Sequence, residues 1–220
     1  MASFSELRDT VYTITNRPDL VNETTLALRK ALFKFHSADS WKQDLNMVVL
    51  TMASHTPLEQ WRWNIPLSTF PRHRRPKNLR IPPQDFRVGM PSSGNALFYP
   101  PFNQLSTHGG FQFLTEDNIF DSYLLEKSNY FYMAGASIYI KASWEPLKLE
   151  YWYYQNPLFS STEDPNNISS WIADQFPDYI CEEASSAVFK AIGKDDEVSR
   201  YREIFAENLQ LLRMSDVGES

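Results

Sequence analysis

The chain has 220 residues, a formal net charge of −6 and a single cysteine, Cys181. One cysteine excludes an intramolecular disulfide and any zinc site built from several cysteines. No segment approaches the run of about eighteen apolar residues that a membrane-spanning helix needs, and the first residues lack the features of a signal peptide, so we expect a soluble protein with no membrane partner.

The N-terminal region has the periodicity of two helices. Ser3 and Glu6 have the spacing of a capping box, which predicts the start of the first helix, and the segment Asn16-Arg17-Pro18 breaks it. Asp19 is placed to cap a second helix, which we expect to run to about Ser37. Apolar residues recur on one face of each helix, so both are predicted to pack against a core.

The middle of the chain changes to strand-like composition. The run DLNMVVLT at 44–51 predicts one strand. Two aromatic runs, NYFYMAGASIYIK at 129–141 and LKLEYWYYQNPLF at 147–159, alternate at strand spacing and predict two more. The short segment at 142–146, which contains a proline, suits a hairpin connection between them, and Gly135 suggests a bulge in the first run.

The second aromatic run has aromatic residues on both faces. Tyr151 and Tyr153 fall on one side of the predicted strand, and Trp152 and Tyr154 fall on the other. A hairpin with one solvent-exposed face would have more polar side chains on that face, so we expect both faces to pack against protein. That protein is either the chain's own core or a neighbouring subunit, and in the second case Trp152, Tyr153 and Tyr154 are interface candidates.

Helical periodicity returns towards the C-terminus. Ser169 or Ser170 can cap a third helix, and Pro177 marks a break or the start of a further helix. Asp195 or Asp196 begins a last helix with an apolar face of its own.

The last helix is expected to end near Arg213, with Met214 on its buried face, because the residues that follow are small and polar. The predicted fold class is α+β. It consists of a helical bundle formed by 1–43 and 160–214, a β-rich insertion at 44–159, and a flexible C-terminal tail at 215–220.

No catalytic or metal-binding motif is visible. The histidines lie far apart without metal-ligand spacing, and His36 falls near a helix end, where a capping role is the ordinary explanation. There is no glycine-rich phosphate loop and no nucleophile elbow, and Cys181 has the character of a small core residue with acidic neighbours. The sequence therefore favours a protein that is not an enzyme and that has no cofactor and no metal, although catalytic carboxylates can lie far apart in a sequence.

Charge is distributed unevenly along the chain. Seven basic residues between Arg62 and Arg87 stand against one acid, whereas thirteen acids stand against five bases from Glu163 onward. The basic segment is centred on PRHRRPK at 71–77, where the two prolines predict an extended loop. Three interpretations are open: a solvated loop, a nucleic-acid patch, or a contact with an acidic protein surface such as another copy of the chain.

Several segments together resemble the head-to-tail adaptor proteins of tailed bacteriophages. They are YTITNRPDL at 12–20 with the long helix that follows, YMAGASIYI at 132–140, LEYWYYQNP at 149–157, and WIADQFPD at 171–178 with the final helix. The resemblance covers about half of the chain and consists of patterns rather than an invariant signature.

The resemblance implies a structural protein of the virion neck, or connector, which is assembled in the host cytoplasm. Such adaptors form rings, commonly twelvefold, below the portal protein; they extend the channel through which DNA passes and bind tail or nozzle components. Neither catalysis nor a cofactor follows from the resemblance. The basic residues Arg72, Arg74, Arg75 and Lys77 then become candidates for protein contacts, together with the three aromatic residues and Met214. The alternative function is a nucleic-acid-binding or host-interaction protein that uses 71–77.

Overall fold

The computed structural model describes residues 3–58, 62–82, 110–115, 118, 129–142, 146, 148–159 and 168–218. Helices lie at both ends of the chain and strands lie in the middle, which confirms the predicted α+β class. The chain forms two compact units. Met1–Asp44 and Asn156–Ser220 make up the helical unit, and Leu45–Gln155 make up the β unit.

Over its described residues, the helical unit contains five α-helices and a small two-stranded sheet. The helices are α1 (Phe4–Thr15), α2 (Val21–Ala38), α3 (Trp171–Gln175), α4 (Pro177–Ala191) and α5 (Asp195–Gly218). Its core is a cluster of buried side chains from these helices, among them Leu28, Leu32, Phe35, Ile180 and Ala184. Helices from both ends of the sequence therefore share one core.

The predicted ends of α1 are confirmed, whereas the predicted cap of α2 is wrong. Ser3 Oγ accepts a hydrogen bond from the Glu6 backbone N–H at 3.2 Å, and the Ser3 N–H donates to the Glu6 carboxylate at 2.7 Å. Asn16, with a φ of 53°, ends the helix. Asp19 does not cap α2, because Leu20 is the N-cap residue; the Asp19 carboxylate instead accepts two hydrogen bonds from Arg17, at 2.7 and 2.8 Å.

The helix starts predicted near the C-terminus are confirmed. Ser170 is the N-cap of α3 and accepts a hydrogen bond from the Ala173 N–H at 3.2 Å. Pro177 occupies the first turn of α4, where its missing N–H has no helical partner to lose.

Helix α5 is longer than predicted. It runs to Gly218 instead of ending near Arg213, so the flexible tail predicted at 215–220 is helical through Gly218. A side chain distant in sequence explains the difference, since Lys42 Nζ donates to the backbone carbonyl of Asp216 at 2.9 Å and satisfies one of the last helical acceptors. Met214 is 64% exposed, so its predicted place on the buried face is also wrong.

The described strands of the β unit form two sheets. The strands are β1 (Leu45–Thr51), β2 (Arg62–Pro66), β3 (His73–Arg80), β4 (Gln112–Leu114), β5 (Tyr130–Ala134), β6 (Ser137–Lys141) and β7 (Lys148–Gln155). One sheet has the order β1-β7-β3, and the other has the order β2-β6-β5-β4. The small sheet of the helical unit pairs β8 (Leu158–Phe159) with β9 (Ile168–Ser169).

The aromatic hairpin predicted from the two aromatic runs is wrong in its partners. Gly135, with a φ of 57°, lies in a tight turn that folds the first run into its own hairpin, β5–β6, instead of forming a bulge. Strand β7 pairs with β1 and β3 on its two sides. Alternation identifies a strand and its faces but not its partner, and the partner strands here are distant in sequence.

The basic segment at 71–77 is also not a loop. Most of it belongs to β3, an edge strand that pairs with β7 on one side. Pro76 is tolerated because an edge strand can lack one ladder donor, and two irregularities in the register interrupt the pairing near it. The prolines therefore do keep the segment extended, as part of a sheet edge.

Candidate protein-binding surface

Strand β7 divides its side chains between two different environments. Leu149, Tyr151 and Tyr153 are fully buried in the core of the β unit. Trp152 and Tyr154 alternate with them and therefore project from the opposite side of the sheet. Of the three aromatic interface candidates, Tyr153 thus belongs to the core, and only Trp152 and Tyr154 share the other face.

On the core face, Tyr153 makes both hydrogen bonds and aromatic ring contacts. Its hydroxyl accepts from Asn46 Nδ2 at 3.0 Å and donates to the carbonyl of Pro71 at 3.3 Å. The imidazole of His73 stacks on its ring at 5.2 Å and lies within hydrogen-bond distance, 2.7 Å, of the Tyr151 hydroxyl. Burial lowers the pKa of His73 to about 4, so this imidazole is neutral at pH 7.

The opposite face of the same sheet brings the basic segment onto the aromatic residues. The guanidinium groups of Arg74 and Arg75 lie 5.6 and 4.8 Å from the centre of the Tyr154 ring, and Lys77 Nζ lies 5.9 Å from it. Arg80 is placed 5.1 Å from the Trp152 ring. We call this set of four basic and two aromatic residues the basic-aromatic face.

Bulges explain how so many cations reach one ring. Regular alternation would send neighbouring residues such as Arg74 and Arg75 to opposite faces of the sheet. The register of β3 against β7 shifts between His73 and Arg75 and again between Pro76 and Asn78. A bulge inserts an extra residue and re-aims the side chains beside it, so Arg74, Arg75 and Lys77 can all approach Tyr154.

The basic-aromatic face combines paired and exposed cations. Arg80 Nε is 2.6 Å from the carboxylate of Glu150, so its charge is neutralised locally. Arg75 and Lys77 are exposed, whereas Arg74 is half-buried. Lys77 has no acidic partner within the part of the chain that the structure describes. The end of β3 near Tyr154 therefore concentrates basic side chains, of which Arg75 and Lys77 are exposed.

The two remaining candidates lie outside this face. Arg72 precedes β3 in a left-handed conformation, with a φ of 54°, and donates to Gln155 Oε1 at 2.9 Å. Met214 lies on α5 of the helical unit, near a second exposed apolar side chain, Leu211. Of the eight predicted contact residues, the structure therefore brings five together on the basic-aromatic face: Arg74, Arg75, Lys77, Trp152 and Tyr154.

The helical unit carries the opposite charge. It has 19 acids against 11 bases, a net charge of −8, while the β unit has 8 acids against 10 bases, a net charge of +2. Within the helical unit, α4 and α5 together hold nine acids and four bases. One chain therefore has both a basic surface and an acidic pair of helices.

Sequence inspection missed a buried polar cluster in the helical unit. His36 Nδ1 lies 2.8 Å from both carboxylate oxygens of Asp44, and His36 Nε2 lies 2.8 Å from Ser170 Oγ. Trp171 Nε1 donates to the same carboxylate at 3.0 Å. The distances match those of a Ser-His-Asp triad, but no sequence spacing signals the arrangement, because Ser170 is 134 residues from His36.

The surroundings of this cluster favour a structural role. His36, Asp44 and Ser170 are only 2%, 6% and 4% exposed, so a substrate has no path to the hydroxyl without local opening. Ser170 Oγ is also occupied as the N-cap of α3. The cluster joins the end of α2, the 3-10 turn that holds Asp44, and the start of α3, and it satisfies polar groups that would be costly to bury alone.

No helix in the described part of the chain is long and apolar enough to cross a membrane. Over the same described residues, no three histidine, cysteine or acidic side chains come together in a way that could hold a metal ion. No protein-family model matches the sequence, and no curated protein matches it either.

Proposed function

We propose that the chain is a structural protein of a tailed bacteriophage, a head-to-tail adaptor that assembles as a ring below the portal. In this role it extends the DNA channel and provides the surface to which tail or nozzle components attach. The protein acts by binding other proteins, without catalysis and without a cofactor. The resemblance of its N-terminal, aromatic and C-terminal segments to such adaptors supports the proposal.

The observation that carries the proposal is the presence of two complementary surfaces on one chain. A ring is built by a head-to-tail contact, in which one patch of each subunit meets a different patch of the next. The basic-aromatic face of the β unit and the acidic helices α4 and α5 form such a pair in charge. Opposite charges of this kind guide association and fix the register of neighbours.

A nucleic-acid interface is the competing function for the same residues. Cations interleaved with aromatic rings also bind single strands, with bases stacked on exposed rings. Tyr154 is buried and three cations already lie over its ring, so its π face is occupied by protein. This arrangement favours a carboxylate-bearing partner over stacked bases.

The test is a charge reversal at the exposed end of the face. The double variant Arg75→Glu/Lys77→Glu removes two exposed cations and leaves half-buried Arg74 in place. Particle mass is measured by light scattering at physiological salt, for the chain alone and with a purified portal ring. We expect the variant to remain folded and to lose ring or portal assembly.

A matched control carries the same change of charge elsewhere. Arg29 and Lys30 are exposed on α2, outside the basic-aromatic face, so Arg29→Glu/Lys30→Glu should assemble like the parent. Assembly of the Arg75→Glu/Lys77→Glu variant at the parent level would refute the proposal. Loss of DNA binding in that variant, with assembly intact, would establish the nucleic-acid function instead.

A further inference from the structure

The edge strands of the two larger sheets differ in how well they are protected from pairing with another strand. Strand β3 is protected by Pro76, by bulges and by its cations. Strand β2 has five residues and includes Arg62 and Pro66, and β4 has only three residues. Natural sheets use these devices to prevent association through open edges.

Strand β1 has none of these devices. Its seven residues, LNMVVLT, include no proline and no charged side chain. Its register with β7 is continuous from Leu45 to Thr51, without a bulge. A long, regular and uncharged edge is the type of strand on which another strand adds.

The second edge of β1 carries no strand in the described part of the chain. The side-chain bonds of β1 are to its own unit, from Asn46 Nδ2 to the Tyr153 hydroxyl and from Ser54 Oγ to the Thr51 carbonyl. Met47 and Val49 project from the sheet and are 38% and 47% exposed. An open backbone edge therefore coincides with exposed apolar side chains.

We propose that β1 pairs with β1 of a second copy of the chain, antiparallel and centred on Val48. In this register Met47 of each copy faces Val49 of the other, so the exposed apolar side chains cover each other across the twofold axis. The three-stranded sheet then continues through the contact as a six-stranded sheet.

A second copy fits this edge because β1 is complementary to itself. A twofold contact uses the same patch on both subunits, and an uncharged strand meets no like charge when it pairs with its own copy. The same pairing by β3 would place cations opposite cations, which is destabilising. The contact is separate from the head-to-tail contact of a ring and goes beyond the adaptor function.

One strand pair is a small interface. Stable complexes bury about 1,200–2,000 Å² of surface, which is more than two seven-residue strands cover, so the dimer should depend on concentration. Sedimentation equilibrium over a range of concentrations measures its dissociation constant. The measurement uses the parent chain and also the Arg75→Glu/Lys77→Glu background, in which the proposed ring contact is removed.

Two variants that differ only in the sign of the charge at residue 47 test the register. Met47→Lys/Val49→Lys places lysine opposite lysine in the proposed pair, whereas Met47→Glu/Val49→Lys places glutamate opposite lysine. Both positions are exposed, so both variants should fold. We expect the first to weaken the dimer by roughly tenfold and the second to restore the parent affinity to within about threefold.

Cross-linking gives an independent test of the same geometry. Val48→Cys places two cysteines directly opposite each other, whereas the cysteines of Thr51→Cys would lie about 20 Å apart. The native Cys181 contributes little background, because burial raises its pKa to about 12. Mild oxidation should therefore form a disulfide cross-link in the Val48→Cys dimer and none in the Thr51→Cys dimer.

The proposal is overturned if the parent chain is monomeric at every concentration in both backgrounds. It is also overturned if Met47→Lys/Val49→Lys associates as tightly as the parent, or if Thr51→Cys cross-links as readily as Val48→Cys. Failure of the ring proposal gives a different result, in which the Arg75→Glu/Lys77→Glu change leaves the larger assembly intact. The two proposals can therefore fail separately.

Discussion

Replacement of Tyr153 tests the division of the aromatic strand into a core face and a basic-aromatic face. Its fully buried ring is 5.5 Å from the ring of Tyr151 and 5.2 Å from the imidazole of His73. Its hydroxyl connects Asn46 of β1 with the carbonyl of Pro71 just before β3. The side chain therefore links all three strands of the β1-β7-β3 sheet.

Three substitutions separate the contributions of the Tyr153 ring, the Tyr153 hydroxyl and the opposite face to the free energy of unfolding. Tyr153→Ala leaves a ring-sized cavity and should lower the free energy of unfolding by about 3–5 kcal/mol. Tyr153→Phe keeps the ring and removes only the hydroxyl, so it should cost about 1 kcal/mol. Trp152→Ala, at a half-buried position on the other face, should cost about 1–2 kcal/mol.

The assay must resolve the two compact units, because a single transition is not guaranteed for a chain of two units. Hydrogen exchange measured by mass spectrometry gives separate protection for peptides from β7 and from α4. Tyr153→Ala should reduce protection in β7 far more than in α4. Unchanged protection in β7, or a larger effect of Trp152→Ala than of Tyr153→Ala, would refute the assignment of the two faces.

Three further outcomes follow from buried groups and from α5. The pKa of His73 is about 4 in the folded chain, below its unfolded value of 6.5. The stability that neutral His73 contributes to the fold is therefore complete above pH 6.5 and is lost as the pH falls towards 4. With solvent screening allowed for, the stability advantage over His73→Gln should shrink by about 1–2 kcal/mol in urea titrations across that window. Asp44→Ala removes the acceptor shared by buried His36 and half-buried Trp171 and should cost about 3–5 kcal/mol by the same assay, while a fluorophosphonate probe should not label Ser170; labelling would indicate an enzyme. Deletion of 215–220 removes the Lys42 bond to Asp216 and should leave the circular dichroism spectrum close to that of the parent but weaken portal binding; unchanged binding would place the portal contact elsewhere.

Features set by a few neighbouring residues were predictable from the sequence. The capping box at Ser3 and Glu6, the break at Asn16 and the helix start at Pro177 all depend on local backbone chemistry. Asp19 shows the limit of such rules even over short distances. It has the right residue type for a cap, but Leu20 occupies the N-cap position one residue later, and Arg17 holds the Asp19 carboxylate through two hydrogen bonds.

Features that depend on distant residues were not predictable. The pairing of β7 with β1 and β3 joins segments about 70 to 110 residues apart, and a period of two is the same whichever strand is the partner. Composition marks both Arg75 and Tyr154 as candidate contact residues, and their contact role stays a prediction. Their position on one face depends on the bulges of β3, which composition does not reveal.

Two physical explanations account for the basic composition of β3, and each requires different residues in the strand. Protection of a sheet edge requires only a proline, a bulge or an inward-pointing charge, and β3 has the proline and the bulges already. Three cations over the single ring of Tyr154 exceed that requirement, and the π face of the ring attracts each of them. Edge protection therefore explains Pro76, but it does not require so many cations beside one ring. The absence of both features from β1 makes the two edges of this sheet suited to different contacts, one through charge and one through the backbone.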